Sequence, residues 1–484
     1  MSDTLTALRT ALTPKQGMRR IPLSLESYRH QATQLSSKRL LNCFAEQEPA
    51  DARTAAAILP VPGLTDFVAV GPGPIFAQNW DRPGAIYVIS GTHLYLVNGS
   101  TLAVTDLGDV GTPSGGFSPD FLFYSIAVGT GGVAVVCSPP NAYVSVDGGP
   151  VALITTTWPS YGASSVAFFQ GYYVFTGQTS PDTFFVSRLA DPTMVDALDF
   201  ASLDAFPNVI GRVMPLGDDL WFGGPTGWEV WYNAGNADFP FRRRPGGTLT
   251  QTGLGVAKTL DKWGNHLYFH GEDNIIYRSN GYTFERISTH AIEASLTTGL
   301  TTGYCYSQLG HVTYCLGRHG APALCYDEST KVWHEASSSA DGTGEWRPSC
   351  ASKFGPTIFG DSIAGVLLLA DPNVSTDRGI AVTRQVVLPP LYAGTNRAFC
   401  ARLEIEMEVG GSYSPSDIVL DWSDDGGVTF TGGPRTMNVG STLETRKRVY
   451  ATRLGSFRNR VFRVAATHAF TIFAVDADIT AGNH

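Results

Sequence analysis

Between residues 72 and 388 the chain repeats one unit: a turn with Gly or Asp, an alternating aromatic-rich strand, a second turn and another strand. The copies read GAIYVISGTHLYLV from Gly84, GGVAVVCSPPNAYVSV from Gly131, GYYVFTGQTSPDTFFVS from Gly171 and GDDLWFGGPTGWEVWY from Gly217. GNHLYFHGEDNIIYRS follows from Gly264, GHVTYCLGRHGAPALCY from Gly310, and a degenerate TIFGDSIAGVLLLAD from Thr357. With Gly84, Gly132, Gly171, Gly217, Gly264, Gly310 and Thr357 as markers, the spacings are 48, 39, 46, 47, 46 and 47. A period of roughly 40–50 residues with about four strands per period is the signature of β-propeller blades, and it favours a propeller over a Greek-key sandwich. A single blade cannot bury both faces, so blades pack around a common axis. The count predicts seven blades, or six if a terminal unit belongs elsewhere.

The rest of the chain divides around this region. Residues 1–58 are polar, mildly basic and poorly periodic, and read as an extended arm; SLESYRHQATQLSSKRL within them is the best helix candidate. Residues 59–388 form the propeller. Residues 389–484 read as a separate β domain, in which FCARLEIEMEV, IVLDWS, VYATRLGSF and RVFRVAATHAFTIFAVDADI alternate as half-buried strands. The expected fold is therefore mainly β throughout. Composition agrees: 16% charged residues is low, and 53 Gly with 11% aromatics suits short strands and tight turns.

Several function classes are excluded. A net charge of −9 argues against general wrapping by nucleic acid. The N-terminus MSDTLTALRT lacks an apolar run, so a secretory leader is not expected, and no apolar stretch approaches a membrane span. Seven cysteines, none in a CxxC spacing, speak against structural zinc and against a fully paired disulfide framework. Cys315 and Cys325 fall where a hairpin can bring them together, but buried free thiols are expected. There is no Walker loop, GxSxG elbow, HExxH helix or GxGxxG after a strand. His266 and His270 share a strand face about 13 Å apart at strand rise, too far for one metal. No catalytic residue, metal site or cofactor is expected.

The stretch WSDDGGVTF carries the closest approach to a reactive motif. Ser423, Asp425, Gly426, Gly427 and Phe430 match the Asp box of sialidase propellers. The box occurs once and outside the repeats, whereas a sialidase needs several, together with an arginine triad and a Tyr–Glu pair. A sialidase-like or carbohydrate-binding propeller is thus the alternative reading. Asp421, Ser423 and Asp425 also resemble the start of a calcium loop, but the twelfth position is Gly432 where an EF-hand needs a bidentate acid. A stable hairpin turn is the expected role, with Asp425 and Ser423 bonded to backbone N–H groups and the glycines at positive φ.

Two basic clusters remain: Arg242-Arg243-Arg244, and residues 441–463. The latter hold Arg446, Lys447, Arg448, Arg453, Arg458, Arg460 and Arg463 against Glu444. In RVFRV the arginines are expected to share one exposed strand face, which is either simply solvated or meets an acidic partner surface or passing DNA.

Three segments resemble a known family, the tail hub or nozzle proteins of short-tailed bacteriophages, also called packaged-DNA stabilisation proteins. In the first, Asn42, Phe44 and Glu46 stand in an Asn-aromatic-Glu cluster, followed by Pro62, Gly63, Leu64 and Phe67. Cys43 and Phe44 depart from the family's usual Trp or Tyr there. The second is FGDSIAGVLLLADPNVSTDRGIAV, similar to the family's last propeller unit. The third joins LDWSDDGGVTF to YATRLGSFRNRVFRVA. The resemblance implies a homo-hexameric ring below the portal and its adaptor ring, through which double-stranded DNA leaves, with fibres, spikes or a needle attached outside. It implies a virion-tail location, assembly in the host cytoplasm and no catalysis.

Overall fold

A computed structural model describes residues 17–33, 35–47, 56–81, 84–115, 122–204, 209–236, 238–296, 299–353, 355–408, 417–439 and 446–482. The N-terminus MSDTLTALRT and Glu444 lie outside them. The repeats are propeller blades. Five four-stranded sheets stand alone, running from Ile75–Asp81 at the start of blade 1 to Thr283–Arg286 at the end of blade 5. Blade 6 comprises Leu300–Gln308, His311–Arg318, Ala321–Asp327 and Val332–Ala336. Blade 7 takes three strands from Pro348–Lys353, Thr357–Asp361 and Val366–Asp371, and its fourth from Gly63–Ala69, which precedes blade 1. Its innermost strand lies against that of blade 1, which closes the ring at seven.

The six glycine markers occupy the same place, at the hairpin between the first two strands of their blades, and Thr357 opens the second strand of blade 7. Gly132, Gly171, Gly217, Gly264 and Gly310 adopt φ between 57° and 90° there, a left-handed region that a side chain resists.

The blade strands are buried on both faces, and their alternation sorts residues between two neighbours. In Ala85–Ser90, Ile86 and Val88 pack toward blade 7, while Tyr87 and Ile89 pack toward blade 2. An apolar cluster of this kind fills each of the seven gaps between blades. An eighth fills the C-terminal β-sandwich.

The sandwich draws on both ends of the chain. One sheet runs Cys43–Gln47, Ala56–Pro60, Thr471–Ala481, Ala398–Glu408 and Lys447–Thr452, with Met18–Ile21 on Thr471–Ala481. The other contains Ser37–Leu41, Arg384–Val387, Asn459–Ala466, Ile418–Ser423 and Gly432–Met437, and continues into blade 6 where Leu41 pairs with Glu335. The helix expected in SLESYRHQATQLSSKRL is absent: Tyr28–Arg29 and Ser37–Leu41 are strands. Pairing with Arg384–Val387 on one side and blade 6 on the other satisfies this backbone, and tertiary pairing overrides local helix propensity. The α-helix among the described residues is short, His290–Ser295.

Candidate functional site

The WSDDGG turn closes on itself. The Asp425 carboxylate accepts from the N–H of Val428 (3.0 Å) and Thr429 (3.0 Å) and from the hydroxyls of Ser423 and Thr429, both at 2.5 Å. Ser423 Oγ in turn accepts from Gly427 N–H at 2.7 Å. These donors, led by the Ser423 hydroxyl, hold the Asp425 carboxyl well below its ordinary range. Gly426 and Gly427 sit at φ +81° and +92°, and a Cβ on Gly427 would meet the Ser37 side chain at 2.4 Å. The residues considered as calcium ligands are engaged otherwise: Asp421 accepts from Arg463, and Ser423 and Asp425 are bonded within the turn. The adjacent Asp424 accepts from Arg460 at 2.7 Å. Phe430 stacks under the Arg463 guanidinium, 4.1 Å from it. Among the described residues no cluster of His, Cys, Asp and Glu is suited to a metal.

The basic residues do not form one exposed face. Arg460 and Arg463 are three positions apart, so they point to opposite sides of their strand. Arg460 is only 2% exposed, between Trp422, Phe457 and Phe462, with Asp424 as its counter-ion. Arg446 and Arg448 pair with the buried Glu406 of the neighbouring strand. Lys447 begins the same strand. Arg453 and Arg458 are exposed and have no ion pair among the described residues. Of the other cluster, Arg244 pairs with Asp219 while Arg242 and Arg243 face solvent.

The N-terminal cluster Asn42, Phe44 and Glu46 is a seam between the domains. Phe44 and Glu46, two apart in the strand Cys43–Gln47, point to one side, and Asn42 precedes that strand at φ +51°. Asn42 donates to Ser337 O (2.9 Å) and Thr383 O (2.8 Å) and accepts from Ser337 N–H (2.8 Å). Phe44 packs edge-on to His311 and also against His334. His311, on blade 6, bridges Asp327 and Glu46 at 2.6 Å each. Asp327 first, and Glu46 with it, overcome the cost of burial and raise the His311 imidazole to about 9, so it is charged at neutral pH. Burial pushes neighbouring His334 down to about 4, so it stays neutral. Arg39 lies across the same seam, with Nε and Nη2 at 3.0 and 2.7 Å from Glu335. Burial raises the Glu335 carboxyl, but Arg39, Arg29 and Arg318 outweigh it and leave it below the ordinary range.

The segment around Pro62, Gly63, Leu64 and Phe67 seals blade 7. A Cβ on Gly63 would stand 2.5 Å from Thr376 O, so only glycine allows this backbone approach. Buried Asp361, of the FGDSIAG segment, accepts from Arg347 at 2.6 and 3.0 Å and from Arg378 at 3.0 Å; Arg378 also holds Asp66 on the sealing strand. Sequence reasoning saw these segments as family-like markers and gave them no physical role.

Phe123, just before blade 2, lies 5.1 Å from the Arg212 guanidinium on the innermost strand of blade 4 and packs on the cluster between blades 4 and 5. All seven cysteines are free, and Cys315 faces Cys325 across a hairpin with the sulfurs 3.5 Å apart. His266 and His270 are engaged with Ser279 O and Asn274.

These features define a propeller–sandwich protein whose acids and bases are spent on closing the fold. Two family models account for it. One, described as the β-propeller of bacteriophage P22 Gp10, matches residues 19–375, and the other, described as the β-sandwich of the same protein, matches residues 383–481. The chain belongs to this family of bacteriophage tail proteins. A search of curated proteins finds no match. Similar solved structures include the WD40 propeller domain of Doa1 (10% identity, TM-score 0.43, 64% of this chain and 96% of that one). Virginiamycin B lyase from Staphylococcus aureus is another (11%, TM-score 0.45, 64% and 99%). Similarities of this size carry no inference about activity.

Proposed function

We propose that this protein is a non-catalytic subunit of the tail nozzle, six copies of which form a ring below the portal adaptor, enclose the DNA exit channel, retain packaged DNA and anchor fibres or spikes. The observation that carries this reading is that both Gp10 models together cover the chain from residue 19 to residue 481. Charge supports it as well: six copies sum to 6 × −9 = −54, and an acidic lumen repels phosphate so that DNA slides without sticking. Passage is then independent of sequence, and the purified protein should not retard a DNA fragment at about 0.15 M salt. Electron microscopy of tails carrying this protein tests the assembly. A six-fold ring with an acid-lined lumen is expected; a lumen lined mainly by Lys and Arg, or a single copy per tail, would overturn the reading.

A further inference from the structure

Two surfaces of the chain have complementary chemistry and belong to distant parts of the molecule. The first is the outermost strand of blade 3 and the turns around it. Residues 189–204 contain Asp191, Asp196, Asp199 and Asp204 and no Lys or Arg. This strand, Asp191–Ser202, breaks register with its neighbour, and along it Leu198 is 79% and Phe200 48% exposed. The nearest base, Arg188, lies 3.8 Å from Asp196.

The second is the tip of the sandwich. Residues 391–402 and 452–460 contain Arg397, Arg402, Arg453, Arg458 and Arg460 and no Asp or Glu. Arg460 and Arg402 are engaged by Asp424 and Glu404, which leaves Arg397, Arg453 and Arg458 on the surface. Tyr392 is 61% and Phe399 50% exposed. Backbone pairing brings these together: Tyr392 opposite Asn459, Phe399 opposite Ser456, and Arg453 N–H bonded to Ala401 O.

The sandwich is anchored at blade 6, and the Gly63–Ala69 strand leading from it seals blade 7. Counted either way round the ring, blade 3 is three blades from that anchorage. We infer that the acidic, apolar outer strand of blade 3 on one copy docks against the basic, aromatic tip of the sandwich on a second copy. At −9 per chain, copies repel one another in general, and this pairing sets opposite charges in contact around a core of exposed apolar side chains. The two surfaces differ, so the contact is head-to-tail and leaves each end of a dimer free to bind again; such contacts make closed rings when the rotation per copy divides the circle. The inference rests on the ring reading above and names its surfaces.

Two variants test it by sedimentation velocity over a concentration series: Arg453→Ala with Arg458→Ala, and Asp196→Ala with Asp199→Ala. Arg453, Arg458 and Asp196 are exposed and Asp199 is half-buried, and an unchanged melting temperature verifies folding. Wild type is expected to associate, and each variant alone to associate at least tenfold more weakly. An equal mixture should form dimers and stop, because each variant keeps one intact surface. Either variant assembling like wild type, or a mixture that behaves as the separate variants do, overturns the inference. A six-fold ring formed by both variants in assembled tails would sink these surfaces and leave the ring reading standing. Absence of a ring in wild-type tails would sink the ring reading itself.

Discussion

At the scale of single residues, the acids and arginines are mostly structural. Gly427 shows how tightly the Asp-box turn is specified: its positive φ and its approach to Ser37 both exclude a side chain. Gly427→Ala should destabilise the sandwich by about 1–3 kcal/mol, read by urea denaturation. His311 gives a pH signature. Its pKa is raised from 6.5 to about 9 on folding, so its stabilisation is complete below pH 6.5 and is lost as pH rises through 9. The groups facing it are Asp327, Glu46 and the neutral His334. Asp377, pushed by burial up to about 6, completes most of its titration below that window. The wild-type melting temperature should therefore fall between about pH 6.5 and 9.5, and His311→Gln should flatten that fall. An unchanged slope in the variant would remove His311 from the seam's energetics.

At the scale of elements, the last blade is the vulnerable one, because its outer strand comes from far away in sequence. Asp361 is fully buried between Arg347 and Arg378, and deleting one partner leaves a charge that burial makes costly. Arg347→Leu is expected to cost about 3 kcal/mol, with protease cleavage appearing first around blade 7. Equal loss from a comparable change on an exposed pair, such as Arg188 with Asp196, would contradict this ranking. The repeat made the blades legible because a Gly turn recurs at one place in each. The sealing strand carried no such sign, since Gly63–Ala69 is one strand of a blade whose other three begin at Pro348. The helix expected near residue 30 failed for a related reason: its polar spacing is helical, but its hydrogen-bonding partners lie hundreds of residues away.

For the whole molecule, shared sheets make propeller and sandwich one mechanical unit. Strand Ser37–Leu41 pairs into both, and the Asn42, Phe44 and Glu46 side chains stitch the same seam. Calorimetry should record a single cooperative transition, and the double variant Asn42→Ala with Glu46→Ala should separate it into two. Two transitions in wild type would mean that the seam does not couple the domains.

Repetition and alternation by themselves determined the β class, the blade period and the hairpin character of WSDDGG, because each depends on contacts within a few tens of residues. The partners of the charges were decided only by tertiary structure. RVFRV reads as an exposed basic face until Asp424 and Asp421, from a neighbouring strand and turn, are seen to hold Arg460 and Arg463. The motif Asn42, Phe44 and Glu46 likewise acquires its role only where blade 6 brings Ser337, His334 and His311 to it. A side chain's charge is written in the sequence, but whether it is spent inside the fold or left for a partner depends on which distant strand lies opposite.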